Sequence, residues 1–178
     1  AELIQVAEET GLIHTLGLQL LRRGCRQMVA WQATVPEARA LRLSVNLSRR
    51  QLVHGELSLW IAEVIRETGI DPTKLSLEVT ETSMLPDLEG AVAVLLELRE
   101  LGVSLVLDDF GTGYSSISHL HRMPLSAMKI DRSLVTQAQE ESRYATALQA
   151  IVGLAGAFGL GIVAEGIETY AQLALVRS

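Results

Sequence analysis

Five short apolar runs, each finishing on an amide, a carboxylate or an ammonium, limit what this chain can fold into more than any other feature. Leu41-Arg42-Leu43-Ser44-Val45-Asn46-Leu47-Ser48 alternates as a strand does and delivers Asn46 at its end. In Leu75-Ser76-Leu77-Glu78-Val79-Thr80-Glu81 the alternation sends Leu75, Leu77 and Val79 to one face and Ser76, Glu78 and Thr80 to the other. Leu105-Val106-Leu107 runs into Asp108-Asp109, Ala127-Met128-Lys129-Ile130-Asp131 carries Lys129, and Gly161-Ile162-Val163-Ala164-Glu165-Gly166 carries Glu165. Helical patterns separate these runs, so the chain reads as α/β, built of parallel βα units. A (β/α) barrel and an open doubly wound sheet both satisfy that alternation. The polar ends favour the barrel, because its strand ends converge on one rim where the active site sits. A dinucleotide-binding sheet would show Gly-x-Gly-x-x-Gly after its first strand, and none is present.

The helices follow from apolar spacing and from their stops. Glu2 to Glu9 is closed by Gly11, and Leu12 to about Trp31 carries Ile13, Leu16, Leu20, Leu21 and Met28 on one side. Trp60, Ile61, Val64 and Ile65 lie at helical spacing within Glu56 to Thr68, which Gly69 and Asp71-Pro72 stop. Ala91, Val94, Leu95, Leu98 and Leu101 line a helix that ends at Gly102. Ser142 is placed to N-cap a helix carrying Leu148, Ile151, Val152, Ala155 and Phe158 and closed by Gly159, and a final helix begins near Thr169. Ser115 to about Leu120 reads as a short crossover that Met123-Pro124 interrupts. His14 has no metal-spaced partner nearby and reads as structural.

The Asp-Asp run is the chemical centre. Neighbours on a strand face opposite ways, so Asp108 and Asp109 share one ion only where the chain bends at a strand end. Two adjacent acids repel each other unless a cation sits between them. Gly111 and Gly113 permit positive φ and a close backbone approach to a ligand, while Thr112, Ser115 and Ser116 offer hydroxyls.

The totals narrow the rest. With 178 residues, 48% of them hydrophobic, residues 1–178 can form a single domain with a substantial core. Net charge is −6 with Lys and Arg scattered, which argues against a groove for a nucleic-acid polymer. An anionic substrate would need bound cations. Cys25 is the only cysteine, which excludes an internal disulfide or a cysteine-rich zinc site and suits a reducing, cytoplasmic setting. No apolar run approaches the roughly 20 residues of a membrane span, and Ala1-Glu2-Leu3 is not a signal peptide. Membrane anchorage through sequence outside this chain stays compatible with these facts.

Asn46, Glu78, Asp108, Asp109, Lys129 and Glu165 on one rim would form a hard-oxygen cage with too much negative charge to stand empty. Mg2+ or Mn2+ is its natural occupant. A carboxylate such as Asp108 can bridge two ions, an arrangement suited to in-line attack by metal-activated water on a phosphodiester. Lys129 would neutralise phosphoryl oxygens or orient that water.

Ser44-Val45-Asn46-Leu47-Ser48, Leu77-Glu78-Val79-Thr80-Glu81, Asp108 to Ser116, Lys129-Ile130-Asp131 and Val163-Ala164-Glu165-Gly166-Ile167-Glu168 resemble, in order, the motifs of the EAL domain, the bacterial cyclic di-GMP phosphodiesterase. The resemblance implies a TIM-like (β/α) barrel that opens cyclic di-GMP to linear di-GMP with two Mg2+ or Mn2+ ions. It makes Asn46, Glu78, Asp108 and Asp109 metal ligands. Glu165 would bind or orient metal-held water and act as general base, and Lys129 would hold the reacting phosphate. Glu81 would steady the loop from Asp109 to Ser116, and Glu168 would lie near the nucleotide. A homodimer and attached sensory or cyclase domains are family expectations.

Two features of the family have no counterpart here. Its Glu-Ala-Leu strand, whose Glu ligates metal, is absent, as is its closing Gln-Gly strand. The expectation is therefore a barrel incomplete at both ends, shorter than the roughly 250 residues of a typical one and weak or inactive by itself. The competing expectation is a receptor that binds cyclic di-GMP without cleaving it, or a module that binds only protein.

Overall fold

The computed structural model describes residues 2–84, 87–111 and 120–177. It divides into two compact units, the first comprising residues 1–79 and 83–105 and the second residues 80–82 and 106–178.

In the first unit, α1 (Glu2–Thr10) and α2 (Ile13–Thr34) precede the strand β1 (Leu43–Asn46). α2 buries Ile13, Leu21, Cys25 and Met28, while Leu20, expected on that stripe, is 54% exposed. Burial pushes the Cys25 thiol up to about 11, against a smaller opposing effect of a hydrogen bond with Thr68. After β1 comes one turn, α3 (Arg49–Leu52), too short for apolar spacing to mark. Ser48 and Gln51 start it reciprocally: Ser48 Oγ accepts the Gln51 N–H at 3.3 Å, and Gln51 Oε1 accepts the Ser48 N–H at 3.0 Å. α4 (Leu57–Thr68) buries Leu57, Ile61 and Val64 at i, i+4 and i+7 and packs on α2. It stops where Gly69 turns left-handed at φ 68° and returns its N–H to Ile65.

β2 (Leu75–Thr80) pairs parallel with β1, with Leu43 opposite Leu75 and Asn46 opposite Glu78. Leu75 through Val79 are all buried, so both faces of this strand are covered, as parallel sheets require. Glu81, expected as the last strand residue, instead opens the helical turn α5 (Glu81–Met84). α6 (Leu88–Glu100) is capped by Asp87, which accepts the Gly90 N–H at 2.9 Å, and buries Ala91, Leu95 and Leu98.

In the second unit, β3 (Ser104–Phe110), whose first two residues belong to the first unit, pairs parallel with β4 (Ala127–Ile130). β4 pairs parallel with β5 (Gly161–Ala164), Lys129 standing opposite Val163. α7 (Arg132–Glu140), absent from the sequence reading, is capped by Asp131 and buries Leu134, Val135 and Ala138. α8 (Ser142–Ala157) takes Ser142 as its first helical residue; Glu141 precedes it with no side-chain cap, correcting the expected Ser142 cap. On α8 only Leu148 and Ala155 of the expected stripe are fully buried, with Val152 36% and Phe158 38% exposed. α9 (Tyr170–Arg177) starts where Thr169 Oγ1 accepts the Gln172 N–H at 3.2 Å. Ile130, Leu134, Val135, Ala138 and Leu148 form the core of this unit, with Ile162, Ile167 and Leu175 packed against it. The crossover expected from Ser115 and the hydroxyls of Thr112, Ser115 and Ser116 lie outside the described residues. Among the described residues no helix is long and apolar enough to cross a membrane.

Candidate active site

Strand ends place the functional groups, as the alternation of the sequence suggests. In the first unit Asn46 closes β1 in register with Glu78 of β2, and the Leu47 N–H donates to the Glu78 carbonyl at 2.8 Å. Asn46 is exposed, whereas Glu78 is 6% exposed. The pairing continues past the last strand residue of β1, so the backbone that presents the Asn46 amide is held on Glu78.

In the second unit the order is tighter. Lys129 Nζ lies 3.0 Å from Asp108 Oδ1 and 2.5 Å from Glu165 Oε1. One ammonium thus bridges a carboxylate on β3 and one directly after β5, the two strands that flank its own. The side chains of Lys129 and Asp108 are 17% and 12% exposed, which strengthens their attraction relative to a fully wet pair. Glu165 follows β5 directly, and its N–H donates to the Ile130 carbonyl at 3.0 Å. Gly166, at φ +67°, then turns away so close to α7 that a Cβ there would overlap that of Arg132. Only glycine fits both the left-handed backbone and that contact.

The Asp-Asp pair departs from a simple strand end. β3 continues through both residues to Phe110, and its register against β4 shifts between Leu107 and Phe110. Asp109 takes the bend within the strand, at φ 57°, which is a left-handed backbone for a residue that is not glycine. Its N–H donates to Asp108 Oδ1 at 3.1 Å. The bulge, rather than the strand terminus, removes the requirement that neighbouring side chains oppose each other. Burial, followed by the charges of Asp108, Asp131 and Glu165, raises the Asp109 carboxyl above its ordinary 3.8, with Lys129 opposing.

Glu168 is exposed and stands 3.8 Å from Arg132 Nη2, while its N–H donates to Gln172 Oε1 at 2.8 Å. Glu81 opens α5, and residues 112–116 of the loop it was expected to steady lie outside the described residues. Asp131 was overlooked as a site residue. It caps α7 and contributes negative charge at Asp109, and its place directly after Lys129-Ile130 is the signal that could have marked it. Among the described residues, no group of three or more His, Cys, Asp or Glu is gathered closely enough to hold a metal ion by itself. The carboxylates of Asp108, Asp109 and Glu165 are hard oxygens of the kind that suits Mg2+ or Mn2+, and a cation would offset the negative charges that, after burial, raise the Asp109 carboxyl.

The EAL domain family model matches residues 1–178. The chain belongs to the EAL domain family. Its sequence is 40% identical over 176 residues to an uncharacterized signaling protein of Caulobacter vibrioides, covering 99% of this chain and 21% of that protein. It is 39% identical over 174 residues to a Pseudomonas aeruginosa protein named cyclic di-GMP phosphodiesterase NbdA, covering 98% of this chain and 22% of the other. The EAL chain therefore spans about a fifth of the length of these curated relatives. A solved PaMucR phosphodiesterase in complex with c-di-GMP superposes with a TM-score of 0.90 at 37% identity, covering 99% of this chain and 70% of that one. The fold is accordingly that of EAL domains, an α/β architecture of TIM-like barrel type, of which this chain represents part.

Proposed function

We propose that this EAL domain serves a metal-dependent phosphodiesterase that opens cyclic di-GMP to linear di-GMP. The observation that carries the reading is the bridge from Lys129 to Asp108 and Glu165 at 3.0 and 2.5 Å, built across three neighbouring parallel strands. The likeness to relatives named for cyclic di-GMP hydrolysis supports the choice of substrate.

Asn46 and Glu78 of the first unit, and Asp108, Asp109 and Glu165 of the second, are each proposed as oxygen donors for Mg2+ or Mn2+. When bound, such ions polarise phosphoryl oxygens and lower the pKa of water. The chain's own groups do the rest. Lys129 presents an ammonium to the non-bridging phosphoryl oxygens, where negative charge builds as the attacking oxygen approaches phosphorus. Glu165, held by its backbone on Ile130 and by its side chain on Lys129, takes the proton of the attacking water. The phosphorus–oxygen bond opposite the incoming water breaks, the leaving ribose oxygen takes up a proton from solvent, and the ring opens to a linear dinucleotide with one terminal phosphate. Glu81 supports this arrangement from α5, and Glu168 is proposed to face the nucleotide.

The test is chromatographic assay of cyclic di-GMP with Mg2+, with Mn2+ and with chelator, on residues 1–178 and on a longer protein containing them. Metal-dependent formation of linear di-GMP by the longer protein is the expected result, with residues 1–178 alone slower. Nucleotide binding without turnover by the longer protein would replace the enzyme with a receptor.

A further inference from the structure

Away from these residues, in the first unit, α2 and the turn after α3 bring two imidazoles and an indole together. The ring centroids of His14 and His54 are 4.7 Å apart, and Trp60 lies 4.2 Å from His54 and 6.0 Å from His14. Nδ1 of His14 is buried and has no hydrogen-bond partner. His54 Nδ1 accepts the Glu56 N–H at 3.4 Å. One helical turn along α2, Gly17 lies beneath the Gln51 side chain, where a Cβ would overlap the amide. Gln51 is itself half of the capping box that starts α3. Two side chains, His54 and Gln51, therefore dock the α3 corner on α2, and that corner begins directly after the end of β1 at Asn46.

We propose that His14, packed on His54, forms a pH-operated latch: it holds the α3 corner on α2 while the His14 imidazole is neutral and releases it when that ring takes up a proton. The contact sets the His14 ring tilted at 57° against His54 and at 71° to the Trp60 indole, and a charge on His14 must be partly desolvated within it. Burial first, then His54 and Arg50, hold the His14 imidazole below its ordinary 6.5. Of the other charges on the packed helices, Glu9 accepts from Gln5, Glu63 and Glu67 pair with Arg22, and Arg26 is also on Glu67. Glu56 meets His54 through its backbone N–H.

The sign follows from His14 binding its proton more weakly when docked than when released. Above 6.5 both forms are neutral and docking is complete; as pH falls below 6.5 the released form gains the proton first, so docking weakens through the depressed value. This latch is independent of the phosphodiesterase reading.

The test reads structure rather than turnover. Amide exchange over residues 47–54, corrected for intrinsic rates, is followed from about pH 8 to pH 5, together with Trp60 emission in a Trp31→Phe background. Protection of that segment is expected to fall at least about fivefold on acidification, with an emission change whose midpoint lies below 6.5. In His54→Gln the midpoint is expected to rise towards 6.5, because one of the causes that hold His14 below it is removed. Protection that does not change with pH overturns the latch, and the unmodified chain decides this even where the variant folds poorly. An unchanged midpoint in a folded His54→Gln overturns it equally.

Discussion

The ammonium of Lys129 stands 2.5 Å from Glu165 Oε1 while still reaching Asp108 at 3.0 Å, so one cation separates two acids that would otherwise face each other across β4. Lys129→Met removes the charge but keeps much of the stem. We expect metal-free stability to fall by about 1–3 kcal/mol, because the partly buried acids lose their partner. Added Mn2+ should restore part of that loss, and thermal unfolding with and without the ion checks it. Equal melting temperatures for both proteins under metal-free conditions would count against the bridge as a stabilising contact.

Asp108→Asn should weaken metal binding more than the same change at Asp109. Asp108 accepts from both Lys129 and the Asp109 N–H, so its carboxylate is fixed, whereas Asp109 carries a raised carboxyl and holds its charge less firmly. Titrating Mn2+ into the two variants by calorimetry measures the difference. If Asp109→Asn loses more affinity, the ranking is reversed and Asp108 is not the central donor.

Two glycines with nearly the same backbone angle separate strain from crowding. Gly159 at φ +68° has open space around it, and Gly166 at φ +67° lies against Arg132. Gly159→Ala should lose about 1 kcal/mol through the left-handed backbone alone. Gly166→Ala should lose about 2–3 kcal/mol, since strand end and helix must also move apart. Urea unfolding of both variants decides it, and equal losses would show that Arg132 yields freely.

Asp131 offers a pH-dependent prediction. It accepts the Ser133 N–H at 2.8 Å and also the Ser133 hydroxyl, and these bonds hold its carboxyl below the ordinary 3.8. A depressed carboxyl stabilises the fold above 3.8 and loses that contribution as pH falls through its folded value. Asp131→Ala should therefore cost about 1 kcal/mol at neutral pH, with the gap to the unmodified chain closing in stronger acid. Unfolding curves at both pH values provide the check; a gap that persists unchanged in acid would mean that the carboxylate is not the cap.

Most strands were legible because each apolar run carried or met a polar residue that a buried run does not otherwise tolerate: Asn46 ends β1, Lys129 is the third residue of β4, and Glu165 directly follows β5. α7 was missed because its nine residues contain only three fully buried ones, and its start depends on Asp131, which read as the tail of β4. Leu20 looked like core because it shares helical spacing with Leu16, but nothing in the spacing says how wide the covered face of α2 is. The bend at Asp109 was unreadable for a stronger reason. A left-handed aspartate inside a strand is held by tertiary pairing of β3 with β4, and local preference argues against it.

Cys25 is fully buried and its thiol is pushed up to about 11, so at neutral pH almost none of it is the nucleophilic thiolate. In the native chain it should be silent to maleimides and to mild oxidants. A single cysteine placed on the surface can then carry a fluorophore or spin label with the natural residue left in place. Distances between chosen surface points become measurable without first making a cysteine-free protein. Labelling at the natural position would, in turn, report when α2 has come apart from its core.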